Sequence, residues 1–410
     1  MTIQHSDASA AFVPPGARHP EPPSRGARFV LRLLERIGHG ELKLVTPDGR
    51  QLRFGGGQPT ATMRLRNWNA FDAALRRGDV GFAEAYIAGD WSTDSLADLL
   101  SVAVANRNAI EDAVYGHWLG RLADRIRHLL HRNTRAGARR NIHAHYDLGN
   151  DFYRLWLDEG MTYSSALFDG DDRRPLKDAQ DAKYARILDA LALPAGASVL
   201  EIGCGWGAFA EVAARRGLSV TGLTLSTEQL AWARERIAGA GLADRARFEL
   251  RDYRDEAGRY DGIASIEMFE AVGERYWPEY FRTLRRCLAP RGRAVVQTIV
   301  IDDALFDRYR RGTDFIQQYV FPGGMLPSAS RFAQEVEVAG LRIVDRFAFG
   351  PDYALTLRQW RERFVARLAA VRALGFDGRF VRTWEFYLAY CEAAFRHGNT
   401  DVVQFTIEQR

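Results

Sequence analysis

Glu201-Ile202-Gly203-Cys204-Gly205-Trp206-Gly207 sets three glycines at alternate positions, directly after the apolar run SVLEIG at 198–203. Glycines so placed let a backbone approach a ligand closely, and the N-terminus of the helix that follows adds unpaired N–H groups. The spacing is GxGxG, and no Lys-Ser/Thr pair follows, which disfavours a phosphate-gripping loop. Glu201, two residues before the first glycine, suits a cationic group such as a methionyl ammonium. Further along, Thr224 and Gln229 are spaced to hydrogen-bond a ribose, although Ser226 between them is also an ordinary helix cap. Asp252 and Tyr253 offer a carboxylate and a ring for an adenine pocket; the alternative for Asp252 is a plain surface acid.

These residues need a scaffold, and the chain beyond about Ala179 supplies the pattern of one. Strand-like runs at 198–203, 218–225, 246–253, 261–268, 292–300 and 341–349 alternate with helical stretches at 206–216, 226–239, 274–288 and 328–339. Such alternation predicts an α/β fold with a parallel, doubly wound, Rossmann-like sheet. VVQFTIEQ (402–409) is expected to return as a last, antiparallel strand. Residues 27–141 read as a smaller α+β domain: a helix at 29–37, a hairpin over 41–54 around Pro47-Asp48-Gly49, a strand at 61–66, and helices at 69–77, 95–106 and 111–131. Residues 1–26, rich in proline and small polar residues, predict a disordered tail.

At 410 residues, two domains plus a tail is the natural division. The apolar fraction of 47% and charged fraction of 26% are those of a globular chain. No membrane-spanning run and no secretory leader are visible, so a cytoplasmic location is expected. Cys204, Cys287 and Cys391 lie too far apart in sequence for a disulfide scaffold or a CxxC site, and no metal is expected. With 56 basic residues against 52 acidic ones, the chain is too balanced for a histone-like polycation. One stretch differs. Arg121, Arg125, Arg127, Arg132, Arg135, Arg139 and Arg140 face a single acid, Asp124, with Leu122, Ile126, Leu129 and Leu130 at helical spacing. It reads either as a solvated helix face or as a segment that lies on an anionic membrane surface. Nucleic acid is disfavoured because no aromatic stacking platform accompanies the arginines.

HAHYDLGNDFYRLWLD (143–158), MTYSSALF (161–168), VLEIGCGWGAFA (199–210), SIEMFEAVG (265–273) and QYVFPGGMLPS (318–328) together resemble the cyclopropane-fatty-acyl-phospholipid and mycolic acid cyclopropane synthases. The resemblance runs from about Arg64 to the C-terminus. GFAEAYIAGDW (81–91) is similar to that family's lipid-facing domain. It implies an S-adenosylmethionine-dependent methyltransferase acting on the cis double bond of an unsaturated phospholipid acyl chain, peripherally bound at the inner face of a membrane, with a homodimer left open. The cofactor site it implies is Tyr163, Ser164, Gly203, Gly205, Trp206, Gly207, Thr224, Gln229, Asp252 and Tyr253. The chemistry runs through a carbocation, which demands a water-poor, aromatic pocket. Phe168, Phe269, Tyr319, Phe321, Tyr353 and Trp360 are candidates to line it, ordinary core packing being the alternative for each.

The resemblance also implies a bicarbonate that takes up the proton. Its expected contacts fall on Ser165, Glu270, Gln297, Ile299 and Tyr353, where Ser165 and Gln297 replace the family's Cys and His. Glu267 stands where members of the family often carry Gly, and Ala271 where a His often follows the matched Glu. Two readings follow: an anion still held by Glu270, which the sequence favours, or Glu267 acting as the base or holding the anion's place. Cys391 matches a cysteine given an active role in the family, while a packing thiol is the plainer reading. The product stays open between a ring and a methylene or methyl branch. A catalytically inactive lipid-binding protein is the reading from another class, and calorimetry with S-adenosylmethionine separates it.

Overall fold

The computed structural model describes residues 22–107 and 148–410. The expected tail to residue 21, the helix at 111–131, the arginine-rich segment at 121–140 and the division at 141/142 lie outside the described residues. The last residues of that expected stretch are ordered. A helix already begins at Arg25 (Arg25–Leu34), capped by Ser24, whose Oγ accepts from the Ala27 N–H at 2.9 Å and donates to Asp72 at 2.8 Å.

The N-terminal sheet has four strands in the order β2-β1-β3-β4: β1 (Gly40–Val45), β2 (Gln51–Gly56), β3 (Thr60–Leu65) and β4 (Trp91–Thr93). The β1–β2 hairpin forms as expected from its alternating apolar positions, and β3 lies parallel to β1. The helix Asn69–Ala88 runs past the expected end at 77, with its break at Gly78, whose φ of 60° a side-chain-bearing residue rarely adopts.

The second sheet carries the site. Its seven strands run β10-β11-β9-β8-β5-β6-β7: β5 (Ser198–Ile202), β6 (Ser219–Thr224), β7 (Ala246–Leu250), β8 (Tyr260–Ile266), β9 (Leu288–Ile301), β10 (Leu341–Ala348) and β11 (Thr400–Gln409). Strands β7, β6, β5, β8 and β9 pair in parallel, while β11 inserts antiparallel between β9 and β10. The order reverses at β5, and the crevice beyond the carboxyl ends of β5, β6 and β8 is where such sheets bind ligands.

One apolar core joins the two sheets' helices. Trp91, Tyr86 and Leu100 from the N-terminal part pack in the same cluster as Trp360, Trp384 and Phe386 from the C-terminal helices Gly350–Ala366 and Gly378–Arg396. Polar ties reinforce it. Arg382 donates to the carbonyls of Tyr86 at 2.6 Å and Trp91 at 2.9 Å, and its guanidinium lies 3.9 Å from the Tyr86 ring centroid. The N-terminal sheet therefore does not close its core alone.

Candidate active site

A cleft of about 1180 Å³, partly open to solvent, lies at the switch point of the seven-stranded sheet. The β5 loop forms its floor, Met161–Ser164 one wall, and Thr224, Gln229 and Asp252–Arg254 another. Of the ten expected cofactor residues, Tyr163, Ser164, Gly203, Gly205, Trp206, Thr224, Gln229, Asp252 and Tyr253 line it. Gly207 does not. It caps the helix Ala208–Arg215 from behind at φ 82°, where an added Cβ would sit 3.0 Å from that of Ala233. Gly205 is the opposite case: at φ 50°, a Cβ there would meet nothing within 4 Å and would project toward the cleft.

Glu201 is buried beneath the loop, and its Oε2 has no hydrogen-bond partner among the described residues. Burial pushes its carboxyl well above the usual range. An orphan buried acceptor beside open space is a receptor for a cationic or donor group. Thr224 and Gln229 hydrogen-bond each other at 3.1 Å, held by the Ser226 cap. Asp252 is drawn onto Arg254, Nε to Oδ1 at 2.8 Å, so its carboxylate is paired as well as cleft-lining.

The residues expected at a proton-removal site converge, in an arrangement different from the favoured expectation. Glu267 follows β8 in the left-handed region, φ 49°, a conformation costly for a non-glycine residue. That geometry turns its carboxylate onto three donors. Oε1 accepts from the Ser165 N–H at 2.8 Å and the Gln297 amide at 2.8 Å, and Oε2 accepts from the Tyr353 hydroxyl at 2.5 Å. Gln297 is oriented in turn by Gln404 of β11, whose Nε2 donates to its Oε1 at 3.0 Å. These are the donors the sequence assigned to a bound anion. Here the chain's own carboxylate consumes them. Ser165 contributes through its backbone N–H, because its hydroxyl donates to the Ala166 carbonyl.

Glu270 stands apart. It accepts from the Ile299 N–H at 2.5 Å and from Thr298 at 2.9 Å, and its Oε2 is buried with no hydrogen-bond partner among the described residues. Burial, with the Glu267 charge adding to it, pushes its carboxyl up to about 8. Burial also raises Glu267, but Tyr353, Ser165 and Lys183 oppose that rise. Two neighbouring carboxyls in unlike surroundings divide into a neutral acid and a base. Of the two, Glu267 holds three donors and Glu270 two, with one oxygen of Glu270 unpartnered among the described residues.

Around Tyr163 the walls are aromatic. Its ring centroid lies 5.4 Å from those of Trp156 and Trp360 and 6.4 Å from that of Phe321, and its hydroxyl meets that of Tyr387 at 2.8 Å. Phe168 is buried in the same core. None of the six expected lining residues lies on the cleft itself, and two fall well away from it. Phe269 packs among Trp277, Tyr280 and Phe332 in the core of the sheet's other face, and Tyr319 is 38% exposed and bonded to Glu84. Cys391 packs at the edge of the aromatic core, and burial pushes its thiol up, away from the thiolate that chemistry would use. The sequence reading missed Lys183 and Gln180. Both are fully buried on the helix Leu176–Leu191, where LKDAQDAKYARI reads as a solvated stretch.

A doubly wound sheet with a glycine loop, a buried acid beneath it and an aromatic cluster packed beside it defines a methyltransferase-type nucleotide site. The profile of the mycolic acid cyclopropane synthetase family matches residues 133–405, and the chain belongs to that family. It is 40% identical to the tuberculostearic acid methyltransferase UfaA1 of Mycobacterium tuberculosis, over 99% of both chains. It is 35% identical to the cyclopropane-fatty-acyl-phospholipid synthase of Escherichia coli, over 83% of this chain and 86% of that one. Among solved structures, the mycolic acid cyclopropane synthase CmaA1 complexed with SAH and CTAB superposes with a TM-score of 0.62 at 32% identity, covering 66% of this chain and 98% of that one.

Proposed function

We propose that this protein methylates the cis double bond of an unsaturated fatty acyl chain with S-adenosylmethionine, and that Glu267 removes the proton that ends the reaction. The observation that carries this reading is the cleft-lining Glu267 carboxylate, held by Tyr353, Gln297 and the Ser165 N–H opposite the glycine loop. Glu201, with its unpartnered Oε2, and the open face of Gly205 fit the methionyl end of the cofactor; Thr224 and Gln229 suit its ribose. When bound, the cofactor supplies an electrophilic methyl that the alkene's electron pair captures, breaking the carbon–sulfur bond.

The positive charge is then on the acyl chain. Tyr163 on the cleft wall, backed by Trp156, Trp360 and Phe321, presents an aromatic surface to it and limits the water that would trap it as an alcohol. A hydride moves from the methylated carbon to its neighbour, and Glu267 takes a proton from the new methyl group. The electrons of that C–H bond become a carbon–carbon double bond, leaving a methylene branch. Loss of a methyl proton from the first cation, before the hydride moves, would instead send that C–H electron pair to the cationic carbon and close a ring. The open-chain outcome is favoured by the full-length likeness to a tuberculostearic acid methyltransferase and by a base fixed to the backbone. The acyl substrate sits in a bilayer, so the protein works at a membrane surface as a peripheral enzyme; no helix among the described residues is long and apolar enough to cross one.

Incubation with methyl-labelled S-adenosylmethionine and monounsaturated phospholipid vesicles tests the reading. Label should enter the acyl chain, and catalytic hydrogenation should then raise the product's mass by two hydrogens under conditions that leave rings intact. A labelled product that resists hydrogenation assigns the ring instead.

A further inference from the structure

Of 56 basic residues in the chain, only Lys43, Lys177 and Lys183 are lysines. Lys183 has no exposed surface at all. Its ammonium donates to the Ser164 hydroxyl at 2.6 Å and to Gln180 Oε1 at 2.8 Å, while Gln180 Nε2 donates to the Ser164 carbonyl at 2.8 Å. The next peptide N–H along the chain is that of Ser165, the donor to Glu267 Oε1. A buried cation thus holds, through two side-chain bonds and one backbone bond, the strand of chain that grips the candidate base. An unpaired buried ammonium is costly, and burial pushes this one down to about 7. Acids around it oppose that fall: Glu267 foremost, then Asp158, Asp181 on its own helix and Glu201 under the glycine loop.

We propose that Lys183 is a positioning residue whose buried ammonium anchors the Ser164–Ser165 peptide against Glu267 and keeps that carboxylate ionised. The inference rests on the reading of Glu267 as base. Around Glu267 the other polar groups are neutral donors, Tyr353, Gln297 and Ser165, plus the neutral acid Glu270; Lys183 is the one cation acting on it among the described groups that shift it. Lysine suits this place because its compact ammonium is a point charge, whereas a guanidinium is a wide planar fork.

Lys183→Met tests the charge. With fold and cofactor binding verified by calorimetry, the acid limb of its pH–rate profile should move upward by roughly one unit, since an opposite charge nearby favours the ionised carboxylate. A packing role alone would lower the rate without moving that limb, and an unmoved limb overturns the proposal. The isosteric Glu267→Gln variant gives a second reading that does not need the Lys183 variant to fold. Selective ¹⁵N-lysine labelling yields three resonances, and the Lys183 ammonium should titrate at lower pH in Glu267→Gln than in the unaltered protein. An identical Lys183 titration in both proteins overturns the proposal. Full turnover by Glu267→Gln would instead sink the base assignment, independently of the lysine signal.

Discussion

The Tyr353 hydroxyl donates to Glu267 Oε2 at 2.5 Å, bridging 86 positions of sequence. The bond ties the helix Gly350–Ala366 to the end of β8 and fixes one oxygen of the cleft-lining carboxylate. Hydrogen bonds to charged groups contribute about 1.5–3 kcal/mol. Tyr353→Phe should therefore slow turnover by roughly 10- to 100-fold while leaving S-adenosylmethionine affinity near that of the parent. Steady-state rates and calorimetry on the same preparation check both halves.

Glu270 is predicted to be a neutral acid near neutral pH. Its carboxyl rises from the ordinary 4.5 to about 8 in the folded protein. The stability it contributes is complete below the unfolded value and is lost as pH rises through the folded one. Glu270→Gln mimics the protonated form, so it should keep turnover within a few-fold and gain stability relative to the parent above about pH 8. Denaturant titrations at mildly acidic and alkaline pH check this. A loss of turnover as deep as that of a general base would return the proton-removal role to Glu270.

The glycine loop makes a prediction of its own. Gly205 lines the cleft, and a Cβ there would meet no atom beyond its chain neighbours within 4 Å, so a branched side chain is expected to enter ligand space. Gly205→Val should abolish measurable S-adenosylmethionine binding while the circular dichroism spectrum stays native, with a modest stability loss from the positive φ. Unchanged affinity would move the cofactor elsewhere.

Because Glu267 occupies the donors that would otherwise grip an anion, turnover should be indifferent to bicarbonate. Rates in carbon-dioxide-scrubbed buffer and in buffer with added bicarbonate should agree within error. A dependence on bicarbonate would show that Glu267 moves aside for it.

The parallel sheet was legible because its strands are short apolar runs closed by glycine or polar turns, and β11 because its alternation survives to the chain end. Nine of the ten residues that the family resemblance implied for the cofactor line the cleft. What sequence could not supply was direction. Ser165 looked like a hydroxyl donor and acts through its backbone. Gln297 is aimed by Gln404, 107 positions away. Tyr319 sits in an aromatic-looking string but points to the surface. Lys183 lies in a helix whose charged residues suggest a solvated face, and only the packing of Ser164 and Gln180 around it shows a buried cation. Glu267 was visible as an added carboxylate, yet its three donors come from separate elements that only the fold assembles.

Turnover of Glu267→Gln on monounsaturated lipid, at saturating S-adenosylmethionine and near neutral pH, tests the central claim most directly. The change keeps the shape of the side chain and removes its basicity, so the rate should fall by about 10²–10⁴-fold with cofactor affinity retained. A rate within a few-fold of the unaltered protein would contradict the assignment of Glu267 as the base.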